Sequence, residues 1–391
     1  MVALVPRLGL AEVLRRHGPA YLETHDLSVI KAKAWRAILA CRTTVLGGHV
    51  ETCEACGTTR HVYHSCRNRH CPLCQTRAKE AWLAARRREV LPVPYFHLVF
   101  TLPHDLNGLI GQCPRALYET LFGAVSATLT EFAANPRWLG GTAAFTLVLH
   151  TWKQDLGRHV HIHALMAGGA LSATGDWRRA KRGFLFPVKA LSRVFRGKFV
   201  AALLRARDNG KLREQVMAND DWRDLLARLH AHEWVIYAKQ PLAGPEQVLE
   251  YLGRYTHRVA ISNERIVGID EAEVAFRVRA DSTTGKKRTV RLKAGEFIDR
   301  FLMHVLPSGF KRIRHYGLLG PAAKALKLAQ ARVALNAPVP DPVVVESVQA
   351  FMRRVDRHEY LRCPDCGRGQ FVPTAPIAPV RLRLPHLRGP P

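Results

Sequence analysis

Acidic side chains are scarce in this sequence. Asp and Glu number 32 against 59 Lys and Arg in 391 residues, a formal balance of +27 with His neutral. The deficit argues against a catalytic centre built from several carboxylates around two metal ions, and no acidic cluster falls near a strand-like segment's end. Long apolar runs are also missing: nothing approaches eighteen consecutive apolar residues, so no membrane span is expected. Met1 to Leu14 carries Pro6 and Arg7 inside its apolar run and lacks the layout of a secretory signal. Tyrosine is sparse, at nine residues, and no internal repeat is visible. What remains is ordinary globular composition, 47% hydrophobic and 23% charged, in a chain long enough for two or three domains. The basic excess calls for a polyanionic partner, of which nucleic acid is the commonest, and the reading is of an intracellular protein.

Nine cysteines are present, five of them between positions 53 and 74. An odd number in a basic chain of this kind disfavours a disulfide framework. Cys53-x-x-Cys56 and Cys71-x-x-Cys74 stand fourteen residues apart. Each CxxC turn lets two thiolates reach one ion, and two turns complete a tetrahedral Zn²⁺ site. Cys53, Cys56, Cys71 and Cys74 are therefore expected to share one structural zinc. Cys66 and nearby histidines leave the ligand set open, and Cys363-x-x-Cys366-Gly367 is half of another knuckle without visible partners.

Residues 8–46 show helical periodicity, and Thr76 to Val90 reads as a basic helix ended by Pro92 and Pro94. Tyr95 to Leu102 reads as a buried strand, and Ala143 to Trp152 with Arg158 to Ala167 as an antiparallel hairpin. Further helices are expected over Pro114–Ala133, Pro187–Arg207, Asp221–His232, Pro245–Tyr255, Phe297–Val305 and Pro321–Leu335, with a β-meander over Val259–Leu292. The fold class is α+β. The expected division is a helical and zinc-binding DNA-binding domain at 1–92, a catalytic domain at 93–335 and a C-terminal segment at 336–391. The last nineteen residues contain six prolines and read as a disordered tail.

In Arg158-His159-Val160-His161-Ile162-His163-Ala164 three histidines alternate with apolar residues. Period-two alternation puts His159, His161 and His163 on one face of a strand, an arrangement suited to a divalent metal. Hydrolases with His-x-His-x-Asp-His chemistry are a weak rival, because Ala164 and Leu165 occupy the last two places. Tyr251 and Tyr255 stand at i, i+4 in a segment with Arg254, His257 and Arg258, which places both on one helix face. A phenol with pKa about 10 attacks phosphate only when metal and basic groups offset the growing charge. Basic runs at Arg178–Lys198 and Lys286–Lys293, and Lys311, Arg312 and Arg314 beside Tyr316, supply a phosphate track with a ring for stacking.

Taken in order, SCRNRHCPLCQ (Ser65–Gln75), HVHIHALMAGGALS (His159–Ser172), YLGRYTHRVAISN (Tyr251–Asn263), FIDRFLMHVLPSGFKRIRHYGLL (Phe297–Leu319) and a C-terminal CPxCG resemble one family. It is the insertion sequence 91 family, the zinc-binding, two-tyrosine HUH transposases of rolling-circle insertion sequences. The resemblance covers about residues 20–335. It implies an HUH endonuclease core with an antiparallel ferredoxin-like sheet, and an N-terminal helical and zinc-binding domain. It further implies transfer of one DNA strand through a 5′-phosphotyrosine, assisted by Mg²⁺ or Mn²⁺, in a bacterial cytoplasmic protein that joins the nucleoid when bound to DNA. His161 and His163 match the metal-binding pair and His159 a histidine two residues earlier, with the third ligand open among His159, His150, Gln154 and Asp155. Tyr251 and Tyr255 match the nucleophile pair. A zinc-ribbon nucleic-acid-binding regulator without catalysis is the alternative, and it leaves the aligned histidines unexplained.

Overall fold

Aromatic and β-branched runs that alternate with helical stretches produce a mixed α+β architecture with antiparallel, open sheets. The computed structural model describes residues 8–181, 183, 185–212, 218–242, 247–249, 253, 260–279, 285–340, 350 and 362–380. Its helices are α1 (Leu10–Thr24), α2 (Val29–Ala40), α3 (Gln75–Arg87), α4 (Asn107–Gln112), α5 (Pro114–Ala134), α6 (Val188–Asp208), α7 (Asn219–Ala231), α8 (Ala294–Leu302) and α9 (Lys324–Ala334). Its strands are β1 (Gly48–Cys53), β2 (Thr59–Tyr63), β3 (Tyr95–Thr101), β4 (Thr142–Trp152), β5 (Arg158–Leu171), β6 (Trp177–Arg179), β7 (Ile236–Leu242), β8 (Ile266–Ile269), β9 (Glu273–Arg279), β10 (Lys287–Lys293), β11 (Ile313–Gly317) and β12 (Phe371–Ile377). None of the described helices is long and apolar enough to cross a membrane.

Two compact units emerge, and both are discontinuous in sequence. One comprises residues 1–78, 261–305 and 342–391, the other 79–260 and 306–341. They cut across the contiguous segments 1–92, 93–335 and 336–391 expected from the chain order.

The second unit is organised by a six-stranded antiparallel sheet in the order β11-β4-β5-β3-β7, with β6 on β5. Alternation divides its two faces. Phe96, Leu98 and Phe100 of β3, Phe145, Leu147 and Leu149 of β4, and Val160, Ile162 and Ala164 of β5 join the main core. Helices α5 and α6 cover that face, with Leu117, Leu121 and Val125 from one and Phe195, Phe199 and Leu203 from the other. Each fully buried side chain of this size stabilises by roughly 1.5–3 kcal/mol. Pro114 opens α5 at its first turn, where a missing N–H costs nothing. On the opposite face Tyr95, Leu165 and Ala167 form a smaller cluster with Leu83, Leu91, Val248, Leu328 and Ala331.

In the first unit the N-terminal helices join partners from much later in the chain. Asn263 Oδ1 accepts from the Leu10 amide at 3.1 Å, and the Tyr21 hydroxyl donates to Asp299 of α8 at 2.6 Å. The meander β8-β9-β10 belongs to this unit, as does a three-stranded sheet in the order β12-β1-β2. Strand β12 corrects the expectation of a disordered tail at residues 373–377, which pair with β1, while residues 381–391 of that expected tail lie outside the described residues. An edge strand tolerates Pro373 and Pro376 because its outward side needs no N–H.

Candidate metal and DNA-processing site

Register across the sheet, rather than sequence alternation alone, assembles the histidines. His150 of β4 lies directly opposite His161 of β5, and His163 is the next residue of β5 on that face. Their ring nitrogens converge: one ligand atom from each of His150, His161 and His163 lies within 4.8 Å of the others. His161 and His163 approach Nε2 to Nε2 at 3.1 Å. Two nitrogens bound at right angles, each about 2.1 Å from one ion, would stand about 3.0 Å apart, so the donor set fits a divalent cation.

Tautomers follow from the hydrogen bonds. His161 Nδ1 lies 3.0 Å from the carbonyl oxygen of His159 and donates to it, leaving the Nε2 lone pair for a ligand. Burial, reinforced by His159, lowers the His161 pKa to about 4, which keeps that lone pair unprotonated near neutrality. His163 Nδ1 lies 2.9 Å from Nε2 of His97, a buried residue of β3 whose ring stacks on His163. With His163 Nε2 turned to the metal position, Nδ1–H donates to His97, the usual outer-shell arrangement for a ligating imidazole.

The structure thus brings together His161 and His163 as expected, and supplies His150 from the neighbouring strand. His159 is not in this group. It lies at the beginning of β5, where its Nδ1 meets His104 Nε2 at 3.3 Å beyond the end of β3. His97 was missed by sequence reasoning; its only signal was a lone histidine inside the apolar run YFHLVFT.

The cysteines pair differently from the expected set of Cys53, Cys56, Cys71 and Cys74. Cys71 and Cys74 converge with Cys41 and Cys66, whereas Cys53 and Cys56 converge with Cys363 and Cys366. Long-range pairing of β1 with β12 brings Cys363 and Cys366 to Cys53 and Cys56, while Cys41, which follows α2, joins Cys71 and Cys74. In the first group Cys41 and Cys66 lie 3.5 and 3.6 Å from Cys74, sulfur to sulfur. A disulfide needs about 2.05 Å. Four sulfurs around one ion at about 2.3 Å stand about 3.8 Å apart, so this group suits Zn²⁺. The thiols share negative charge unevenly: the hydrogen bond from Cys66, then that from Cys71, holds Cys41 far below the thiol range, while contact with Cys41 pushes Cys66 and Cys71 up.

Strand parity also decides the fate of the basic segment after α8. Arg314 and Tyr316 of β11 point to the α5 side: Arg314 forms two hydrogen bonds to Glu119 at 2.8 and 2.9 Å, and its guanidinium lies over Phe122. One face of Tyr316 is stacked on Phe145. Their expected service as a DNA contact and a base platform is therefore largely taken up by internal partners. Lys311 is exposed, and Arg312 is half-buried with its carbonyl accepting from the Leu149 amide. Tyr251, Tyr255, Arg254 and Arg258 lie outside the described residues, as does most of the helix expected over Pro245–Tyr255.

These observations join a histidine cluster on an antiparallel sheet to cysteine clusters in a chain of strongly basic character. A family model described as "Transposase zinc-binding domain" matches residues 13–102, and one described as "Putative transposase" matches residues 144–326. A protein of Sinorhizobium fredii (strain NBRC 101917 / NGR234) titled "Putative transposase y4qJ" is 44% identical over 376 residues, covering 93% of this chain and 94% of its own. The chain belongs to the insertion sequence 91 family of transposases. A "Transposase for insertion sequence element IS801" from Pseudomonas savastanoi pv. phaseolicola is 26% identical over 363 residues, 91% of this chain and 86% of that protein. Membership makes the transposase an enzyme that cuts and joins DNA. Its zinc-binding domain contains the Cys41, Cys66, Cys71, Cys74 cluster in full, and its histidine cluster lies inside the second match.

Proposed function

We propose that this transposase cuts and transfers single DNA strands at transposon ends, using a tyrosine of the segment around Tyr251 and Tyr255 as nucleophile, in rolling-circle transposition. The observation that carries the reading is the convergence of His150, His161 and His163 on one face of the sheet. Val248, the buried residue three before Tyr251, packs in the cluster of that same face with Leu165, two residues beyond His163.

The three imidazoles would hold Mg²⁺ or Mn²⁺, whose chemistry there is to polarise the scissile phosphate. His161 and His163 present fixed lone pairs because their other nitrogens are engaged with the His159 carbonyl and with His97. The tyrosine oxygen attacks phosphorus as its proton leaves to solvent or a nearby base. The bond from phosphorus to the 3′ oxygen breaks, and that oxygen takes up a proton to leave a free 3′-OH. The 5′ phosphate stays on the tyrosine until another 3′-OH displaces it. Arg254 and Arg258 are suited to offset the developing charge on the phosphate. Lys311 and the exposed lysines and arginines of β10 serve phosphate binding.

Incubation with a single-stranded transposon-end oligonucleotide and Mn²⁺ should give a covalent adduct that mass spectrometry maps to Tyr251 or Tyr255. The double Tyr251→Phe, Tyr255→Phe variant should give none. An adduct that persists in that variant on another residue refutes the mechanism, and complete absence of adduct with the unaltered protein favours a DNA-binding role without tyrosine chemistry.

A further inference from the structure

We propose that Cys53, Cys56, Cys363 and Cys366 form a second structural zinc site, a ribbon whose two knuckles come from opposite ends of the chain. The observation that points to it is internal likeness. Cys53-Glu54-Ala55-Cys56-Gly57 and Cys363-Pro364-Asp365-Cys366-Gly367 adopt the same turn. In each, the glycine amide donates to the carbonyl of the first cysteine, at 3.0 Å for Gly57 and 2.9 Å for Gly367. Both glycines take a left-handed conformation, with φ of 74° and 66°, where other residues are strained. Such turns aim both sulfurs and nearby amides at one point.

The two turns face each other. Cys53 and Cys366 approach to 3.8 Å between sulfurs, and Cys56 and Cys363 to 3.6 Å. These separations match the edge of a tetrahedron with Zn–S of about 2.3 Å and are too long for disulfides. The backbone is fitted around the sulfurs. A Cβ at Gly369 would come within 2.2 Å of Cys53 Sγ, so only glycine allows this approach, and its amide donates to Cys366 Sγ at 3.3 Å. Pairing of β1 with β12 runs directly into the site, with Cys53 opposite Phe371. The Glu54 amide donates to Gln370, and Thr58 donates to Asp365 at 2.8 Å.

This site is separate from the Cys41, Cys66, Cys71, Cys74 cluster, and half of it lies beyond residue 102, where the zinc-binding family match ends. It concerns architecture and does not depend on the tyrosine mechanism. A divalent cation here ties the C-terminal strand to the N-terminal sheet.

The test uses the full chain, purified with zinc under reducing conditions. Elemental analysis of a His161→Ala, His163→Ala variant, which cannot load zinc at the histidine cluster, should find two zinc ions per chain, and one when Cys363→Ser and Cys366→Ser are added. Alkylation with iodoacetamide, mapped on the unaltered protein, guards against misfolding of the variant. Cys56 is exposed, so it would react readily as a free thiol. Protection of Cys56, Cys363 and Cys366 together, lost together on chelation, supports the site. One zinc per chain with Cys56, Cys363 and Cys366 alkylated while that zinc is retained overturns it.

Discussion

His163 touches both the metal position and its support, since Nε2 faces His161 and Nδ1 engages His97. Outer-shell partners of this kind typically alter metal affinity by roughly 10–100-fold. His97→Ala is therefore expected to raise the Mn²⁺ concentration for half-maximal strand cleavage by about that factor, with single-strand binding retained. His150→Ala should abolish cleavage, whereas His159→Ala should leave measurable activity; equal loss in both variants would contradict the assignment of His150 as the third ligand. Three imidazoles are poor partners for Mg²⁺, which prefers oxygen, so Mn²⁺ should support cleavage at lower concentration than Mg²⁺. The alternating histidines were legible because period two is a property of one strand. His150 was legible only as one of four candidates for the third ligand and His97 not at all, because both reach His161 and His163 through cross-strand register, which no local pattern encodes.

At the scale of elements, β11 shows how one strand serves two layers. Its even neighbours Arg314 and Tyr316 serve the α5 side, while His315 turns to the histidine face. Arg86 donates to His315 Nε2 at 2.9 Å, which leaves Nδ1–H to donate to the Thr146 hydroxyl at 2.9 Å. Burial, with Arg86 and Lys324 nearby, lowers the His315 pKa to about 4. The unfolded chain, with an ordinary histidine pKa of about 6.5, binds this proton first as pH falls. The contribution of His315 to stability is thus fully present above about pH 6.5 and lost towards pH 4, at up to about 1.4 kcal/mol per pH unit. Chemical denaturation across that range should show a shallower acid loss in His315→Asn than in the unaltered protein. Arg314→Ala should lower stability by about 1 kcal/mol, through its lost carboxylate pair and ring contact, with little change in the salt dependence of DNA binding. Lys311→Ala should instead leave stability unchanged and reduce the salt slope by about 1 if Lys311 meets a phosphate. Periodicity located β3, β4, β5, α5 and α6 to within a few residues, yet it gave no strand over Ile313–Gly317 and treated Lys311, Arg312 and Arg314 alike. Only pairing with β4 separates the exposed lysine from the arginine engaged by Glu119.

For the molecule as a whole, the sequence suggested a chain read from one end to the other, with domains in succession. Contacts instead gather residues 1–78 with 261–305 and 342–391. Nothing in local composition announces that Tyr21 will meet Asp299, or that β1 will wait for β12, because the governing contacts join positions hundreds of residues apart. The pairing of β1 with β12 gives the fold a clock. Cys53 emerges from the ribosome 318 residues before its partner Phe371. At roughly 5–20 residues per second that interval lasts about 15–65 s, during which one edge of β1 stands unpaired. A message broken anywhere before residue 371 yields a polypeptide whose N-terminal sheet lacks its last strand. Chains truncated before residue 371 should therefore keep an open edge on β1 and aggregate or be degraded more readily than the full-length chain.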